Sequence, residues 1–192
     1  MSIRFIAILA MLFLSSNALA QWTLVNDEST VSYVSIKKSK VGEVNYFKEL
    51  NGTIERNGKL SVDIDLGSVE TNVPIRNERM KSMFFEVASF PKANISASLD
   101  PETLAGMDIG ETYKDSITFD LSLHGVSKER DADVRVVKLA QNRILAMSLN
   151  PIIVNADQYN LAEGIEKLRE VVSLPSISTA VPVTFSLVFK QQ

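Results

Sequence analysis

A single imidazole, His124, and two carboxylate pairs, Asp63 with Asp65 and Asp131 with Asp133, are the groups in this chain best suited to moving a proton. An imidazole acts as general base when a nucleophile or an orienting acid stands beside it. His124 follows the Leu121–Leu123 stretch and precedes Gly125, while Ser122 alternates to the opposite strand face. That setting predicts a histidine hydrogen-bonded at a turn, with contact to a ligand as the functional alternative. Carboxylates two residues apart on a strand share a face about 7 Å apart, a separation that glycoside hydrolases use. Each pair here sits opposite the apolar face of its strand, where solvated charge belongs. The chain has no Cys and one His, which excludes thiol catalysis, thiolate metal sites, disulfides and multi-histidine metal centres. Gly-rich phosphate loops and paired-His motifs are absent too. The expectation is a protein with no catalytic apparatus and no cofactor.

Other residues suit recognition. Arg76, Asn77, Glu78, Arg79 and Lys81 form a mixed-sign cluster, read either as a solvated helix face or as a rim that brings Arg76 or Arg79 to a polar headgroup. Phe84, Phe85 and Phe90 fall within seven residues. Adjacent phenylalanines point different ways in a regular helix or strand, so core packing and the lining of an apolar mouth both stay open.

The elements that must position these groups are strands. Period-two alternation runs through Leu60–Leu66, Ile117–Leu123 and Val181–Phe189, and more weakly through 31–37, 93–99, 132–137 and 144–149. Turn signals separate them: Asn51-Gly52, Asn57-Gly58, Asp100-Pro101, His124-Gly125 and Asn150-Pro151. Asn57-Gly58 is the best hairpin candidate. A short helix is expected over 76–85 behind an Asn77 cap. A longer one is expected over 160–172, where Asn160 and Glu163 match a capping box. The pattern predicts one all-β domain of about eight antiparallel strands with one or two flanking helices. Long strands lean toward a closed barrel, which also leaves no exposed edge.

Of 192 residues, 45% are hydrophobic, enough for a real core, and 23 acidic against 20 basic side chains give a net charge of −3. That balance argues against nucleic acid as a partner. Met1–Ala20 reads as a secretory signal: Arg4, an unbroken apolar run over 5–14, then Ala18-Leu19-Ala20 at the cleavage site. A run of that length rises about 15 Å as helix, half of a roughly 30 Å hydrocarbon core. The expectation is an exported, periplasmic protein over 21–192, with no membrane span after cleavage.

Three blocks resemble the YceI-like family of exported, lipocalin-like lipid-binding proteins: WTLVNDESTVSYVSIK from Trp22, IRNERMKSMFFEVASFPKANISAS from Ile75 and LSLHGVSKERDADVRV from Leu121. The VPVTFSLVF ending from Val181 is similar as well. The resemblance implies an extended antiparallel barrel around an elongated apolar cavity for a polyisoprenoid, a quinone or another long-chain lipid, in a soluble protein that forms homodimers. It implies a lining from Tyr33, Phe84, Phe85, Phe90, Phe119, Leu121, Leu123, Phe185 and Leu187, with Arg76, Arg79 and His124 at the mouth. Ser35, Lys37, the Val41–Asn45 segment and Asn77–Met80 depart from the family pattern near that mouth, so ligand identity does not carry over. The competing reading is a packed barrel that docks a partner through the 77–81 or 160–172 helix. An enzyme using His124 or the carboxylate pairs is a distant third.

Overall fold

The computed structural model describes residues 21–192. The expected signal, Met1–Ala20, lies outside the described residues.

Among the described residues twelve strands form one sheet. In chain order they are β1 (Trp22–Leu24), β2 (Thr30–Lys37), β3 (Val41–Phe47), β4 (Leu50–Ile54), β5 (Lys59–Asp65), β6 (Val69–Glu70), β7 (Lys92–Ser98), β8 (Thr112–Leu123), β9 (Val126–Ala140), β10 (Arg143–Ser148), β11 (Ile152–Asn155) and β12 (Ala180–Gln191). The pairing reduces them to eight ribbons. β1 and β2 both lie along β12, broken only by a turn at Asn26–Glu28. β3 and β4 pair with β2 and β1 in turn, and β5 with β6 continues across the Leu66–Ser68 turn. β10 and β11 both pair with β12 on its other side and are separated at Pro151, which has no N–H to donate. Every ribbon is hydrogen-bonded to its sequence neighbours, and β12 closes back on β1 and β2. The result is a closed up-and-down antiparallel barrel, with Val41–Asn45 of β3 and Thr112–Thr118 of β8 extending beyond their neighbours and paired on one side only.

Alternation sets which face is inside. Leu60, Val62 and Ile64 are buried in the barrel, while Asp63 on the outer face meets Lys92 at 3.1 Å and Asn94 at 2.8 Å. Gly58 stands at φ +84° in the β4–β5 turn, where a Cβ would lie 1.9 Å from the Leu99 carbonyl oxygen; only glycine fits. His124 (φ 49°) and Gly125 (φ 77°) make a two-residue loop between paired Leu123 and Val126, as tight hairpins require.

Among the described residues there are three short α-helices, α1 (Pro74–Arg79), α2 (Pro101–Gly106) and α3 (Ala162–Val171), with a π-helical turn at Met80–Phe84 directly after α1. Four local expectations are corrected. Asn51-Gly52 lies inside β4, because a bare glycine lets Leu24 and the Ser61 carbonyl approach to 3.3 Å and 3.0 Å of where a Cβ would stand. Asp100-Pro101 opens α2, the Asp100 carboxylate accepting from Glu102 N (3.0 Å) and Thr103 Oγ1 (2.7 Å). Asn77 lies within α1, which begins at Pro74; its Oδ1 accepts from Thr71 N at 2.8 Å and so ties the helix to the preceding strand. Asn160 adopts the left-handed conformation that Asn tolerates and ends the Ala156–Tyr159 turn, so no capping box forms; Glu163 pairs with Lys167 at 2.9 Å instead.

α1, the π-helical turn and α3 gather at the barrel end that carries the β2–β3 turn and the start of β12. α2 sits at the opposite end, beside the β4–β5 turn. No helix among the described residues is long and apolar enough to cross a membrane.

Candidate functional site: an apolar cavity under a helical lid

Inward residues of all eight ribbons enclose a cavity of about 700 Å³ that runs the length of the barrel, from Ile54 and Leu60 at the α2 end to Ile177 and Ser178 at the lid end. This volume lies within the roughly 300–1,000 Å³ range of ligand pockets. Its walls are mostly aliphatic and aromatic. Tyr33, Phe84, Phe85, Phe119, Leu121, Leu123, Phe185 and Leu187 all line it, as do Arg76 and Arg79.

Phe90 and His124 do not belong to that lining. They pack on each other with ring centroids 4.1 Å apart, and Phe90 also lies over Gly125. The positive φ of His124 turns its side chain off the inward face that Leu123 occupies. The expected turn hydrogen bond is not made: both His124 ring nitrogens are buried without a hydrogen-bond partner among the described residues, Nε2 standing 3.5 Å from a Glu86 carboxylate oxygen, and the imidazole is held at the hairpin tip by packing on Phe90.

Phe84 and Phe85 both line the cavity although they are adjacent. The π-helical turn makes this possible: Phe85 N donates to Met80 O at 2.8 Å, one residue beyond the α-helical spacing, which shifts both rings onto one side. The rings continue a chain inward, Phe84 to Phe85 at 4.7 Å, Phe85 to Phe47 at 5.8 Å and Phe47 to Tyr33 at 5.6 Å. α3 lies on the turn through Gly164, and Leu161, Ile165 and Leu168 complete the cover.

The lining changes character toward the lid. On the inward face of β2, Tyr33, Ser35 and Lys37 follow one another, opposite Asn45, Glu43 and Val41 of β3. Glu43 is held by Lys37 at 2.6 Å and by Arg76, whose Nη2 also donates to Thr71 O at 2.6 Å. The hydrogen bond from Lys37 and the charge of Arg76 keep the Glu43 carboxyl below its ordinary range against a smaller opposing effect of burial. Burial pushes the Tyr33 hydroxyl well above the usual phenol value, and the nearby Arg76 charge offsets part of that. At the other end, Asp100, Tyr113 and Asp115 line the cavity.

Lys37 and Glu43 were visible in the sequence only as departures near the mouth, because the ion pair joins residues that only the β2–β3 register brings together. Asp100, Tyr113 and Asp115 were missed; extending the odd-numbered inward face of β8 back from Phe119 was the signal that placed the last two. The carboxylate pairs are outside the cavity and locally satisfied: Asp65 accepts from Gly67 N (2.7 Å), Asp131 from Thr118 Oγ1 (2.7 Å) and Asp133 from Asn150 Nδ2 (3.2 Å). Among the described residues no three His, Cys, Asp or Glu side chains gather as a metal site.

A closed antiparallel barrel around a lidded apolar interior defines a lipocalin-like fold. Residues 22–189 match the YceI-like domain, and the chain belongs to that family. It is 36% identical to a polyisoprenoid binding domain from Saccharophagus degradans implicated in plant cell wall breakdown, with a TM-score of 0.88 over 89% of this chain and 98% of that one. BcnA of Burkholderia cenocepacia (18% identity, TM-score 0.66, 86% and 98% covered) shares the fold. So does a Campylobacter jejuni YCEI protein (16% identity, TM-score 0.52, 77% and 84% covered). No curated protein matches the chain.

Proposed function

We propose that this protein is an exported, non-enzymatic carrier that sequesters the tail of a polyisoprenoid, quinone or other long-chain lipid inside its barrel, in the periplasm. The continuous apolar cavity carries this reading. Each buried methylene contributes about 0.8 kcal/mol, so a sixteen-carbon tail gains on the order of 10 kcal/mol before ordering costs. Such binding tolerates varied tails, and polar groups at the mouth set preference. The polyisoprenoid binding of the Saccharophagus degradans relative supports the tail class. An interior of this volume weighs against the packed-barrel reading. The homodimer implied by the family belongs to the same proposal and is read by sedimentation.

The test is native mass spectrometry of the gently purified exported protein, followed by organic extraction. A bound species released by solvent is the expected result. A bare mass that stays bare after incubation with isoprenoid and quinone mixtures overturns the carrier reading in favour of an interaction protein.

A further inference from the structure

We infer that the lid end of the barrel docks reversibly on a bilayer surface bearing anionic headgroups, with the cavity mouth turned to the lipid. Docking rests on the surface around that mouth; the passage of a tail through it rests on the carrier reading.

Three segments meet there. The β2–β3 turn is tied to the chain that follows α3, Lys38 N donating to Ser176 O at 3.0 Å and Ser178 N to Ile36 O at 2.9 Å. Arg76 of α1 joins the same turn through Glu43. Around this junction Ile75 is 59% exposed, and Val41, Val73, Val171 and Val172 are exposed as well. Val73, Ile75 and Val172 also line the cavity, so the outer apolar surface runs into the interior and marks an opening. Exposed apolar side chains gathered in one place mark a contact surface.

Charge selects the contact. Lys38, Lys40 and Arg79 belong to these segments and make no ion pair among the described residues. The acids beside them are already engaged: Glu43 by Lys37 and Arg76, Glu78 by Lys81, and Glu166 and Glu170 by Arg169. Lys38 and Ser39 hold φ values of 53° and 56°, a conformation for which turns ordinarily use Gly or Asn. The turn thus keeps a lysine at its tip against backbone preference, as strained functional sites do.

The opposite end carries the other sign. Asp100 and Asp115 line the cavity there, and between them in sequence lie Glu102, Asp108 and Glu111 with Lys114 as the one base. An anionic surface therefore attracts the lid end and repels the α2 end, which orients the barrel. A second copy fits this face poorly, because two-fold packing brings two positive surfaces together.

The test is flotation of the exported protein with vesicles of phosphatidylcholine and with equimolar phosphatidylcholine and phosphatidylglycerol. Binding to the mixed vesicles is expected to be about ten-fold tighter or better, and to fade as salt rises. Lys38→Asn with Lys40→Gln keeps a residue suited to positive φ in the turn. That pair is expected to lose about ten-fold in vesicle binding, with tail affinity in solution and circular dichroism unchanged. Ile75→Ser with Val172→Ser is expected to weaken binding several-fold through lost apolar insertion. Ile109→Ser, exposed at the α2 end, is expected to change nothing. No binding, equal binding to both vesicles, binding that survives both double substitutions, or an equal loss with Ile109→Ser overturns the inference and leaves the carrier reading standing. A dimer in sedimentation that Ile75→Ser with Val172→Ser dissociates assigns the face to a second copy and overturns it too. The carrier reading fails separately, when the protein neither yields lipid on extraction nor takes any up.

Discussion

Gly164 on α3 lies directly against Phe84: a Cβ at Gly164 would stand 3.0 Å from Phe84 Cα and 3.1 Å from the Met83 carbonyl oxygen. The lid is thus two helical segments in backbone contact, and the absence of one side chain lets them close over the cavity.

Gly164→Val is expected to wedge these segments apart. Overpacking of this kind costs about 1–3 kcal/mol, read as a lower urea midpoint, and a loosened lid speeds release of a bound probe in stopped flow. Unchanged stability and release rate would show that the contact does not hold the lid.

Phe119 points into the barrel and is buried. Phe119→Asp places a carboxylate in the tail's path, where an unpaired charge is strongly disfavoured. Loss of lipid uptake is expected, with folding checked by circular dichroism. A folded variant that binds lipid as well as the parent would contradict the inward assignment.

His124→Ala is expected to leave tail affinity unchanged, because the imidazole packs on Phe90 outside the cavity. Its effect falls on the hairpin tip, as a modest loss of thermal stability. A large fall in affinity at preserved stability would return His124 to the binding site.

Glu70 links β6 to α1, accepting from Asn77 Nδ2 at 2.9 Å, from Asn72 N at 2.6 Å and from Lys48. The Asn77 hydrogen bond, followed by the Lys48 and Asn72 bonds, lowers its pKa from 4.5 to about 2. A depressed carboxyl contributes stability that is complete above its unfolded pKa and is lost as pH falls through the folded value. The parent is therefore expected to lose its advantage over Glu70→Gln as pH drops from 4.5 toward 2, in paired melting curves. A stability gap that is constant across that window would remove Glu70 from the anchor.

The barrel was legible because its signal is local. Alternation in Leu60–Leu66, Ile117–Leu123 and Val181–Phe189 marks half-buried strands, and Asn57-Gly58 marks a hairpin, without any distant contact. The lid's geometry was not. A π-helical turn leaves no period in so short a segment, so two adjacent phenylalanines pointing one way could not be anticipated. The direction of His124 depends on a backbone φ rather than on spacing. The mouth's ion pairs join Glu43 to Lys37 across a register and to Arg76 across 33 positions of sequence, and neither relation has a sequence period.

The central claim is that a tail fills a barrel of finite length. Affinities of a homologous series of straight-chain alcohols test it most directly, because the head is constant and only buried length varies. Each added methylene is expected to strengthen binding by about 0.8 kcal/mol, roughly three- to four-fold, until the cavity is full and the curve flattens. Affinity that does not change with chain length would contradict the account.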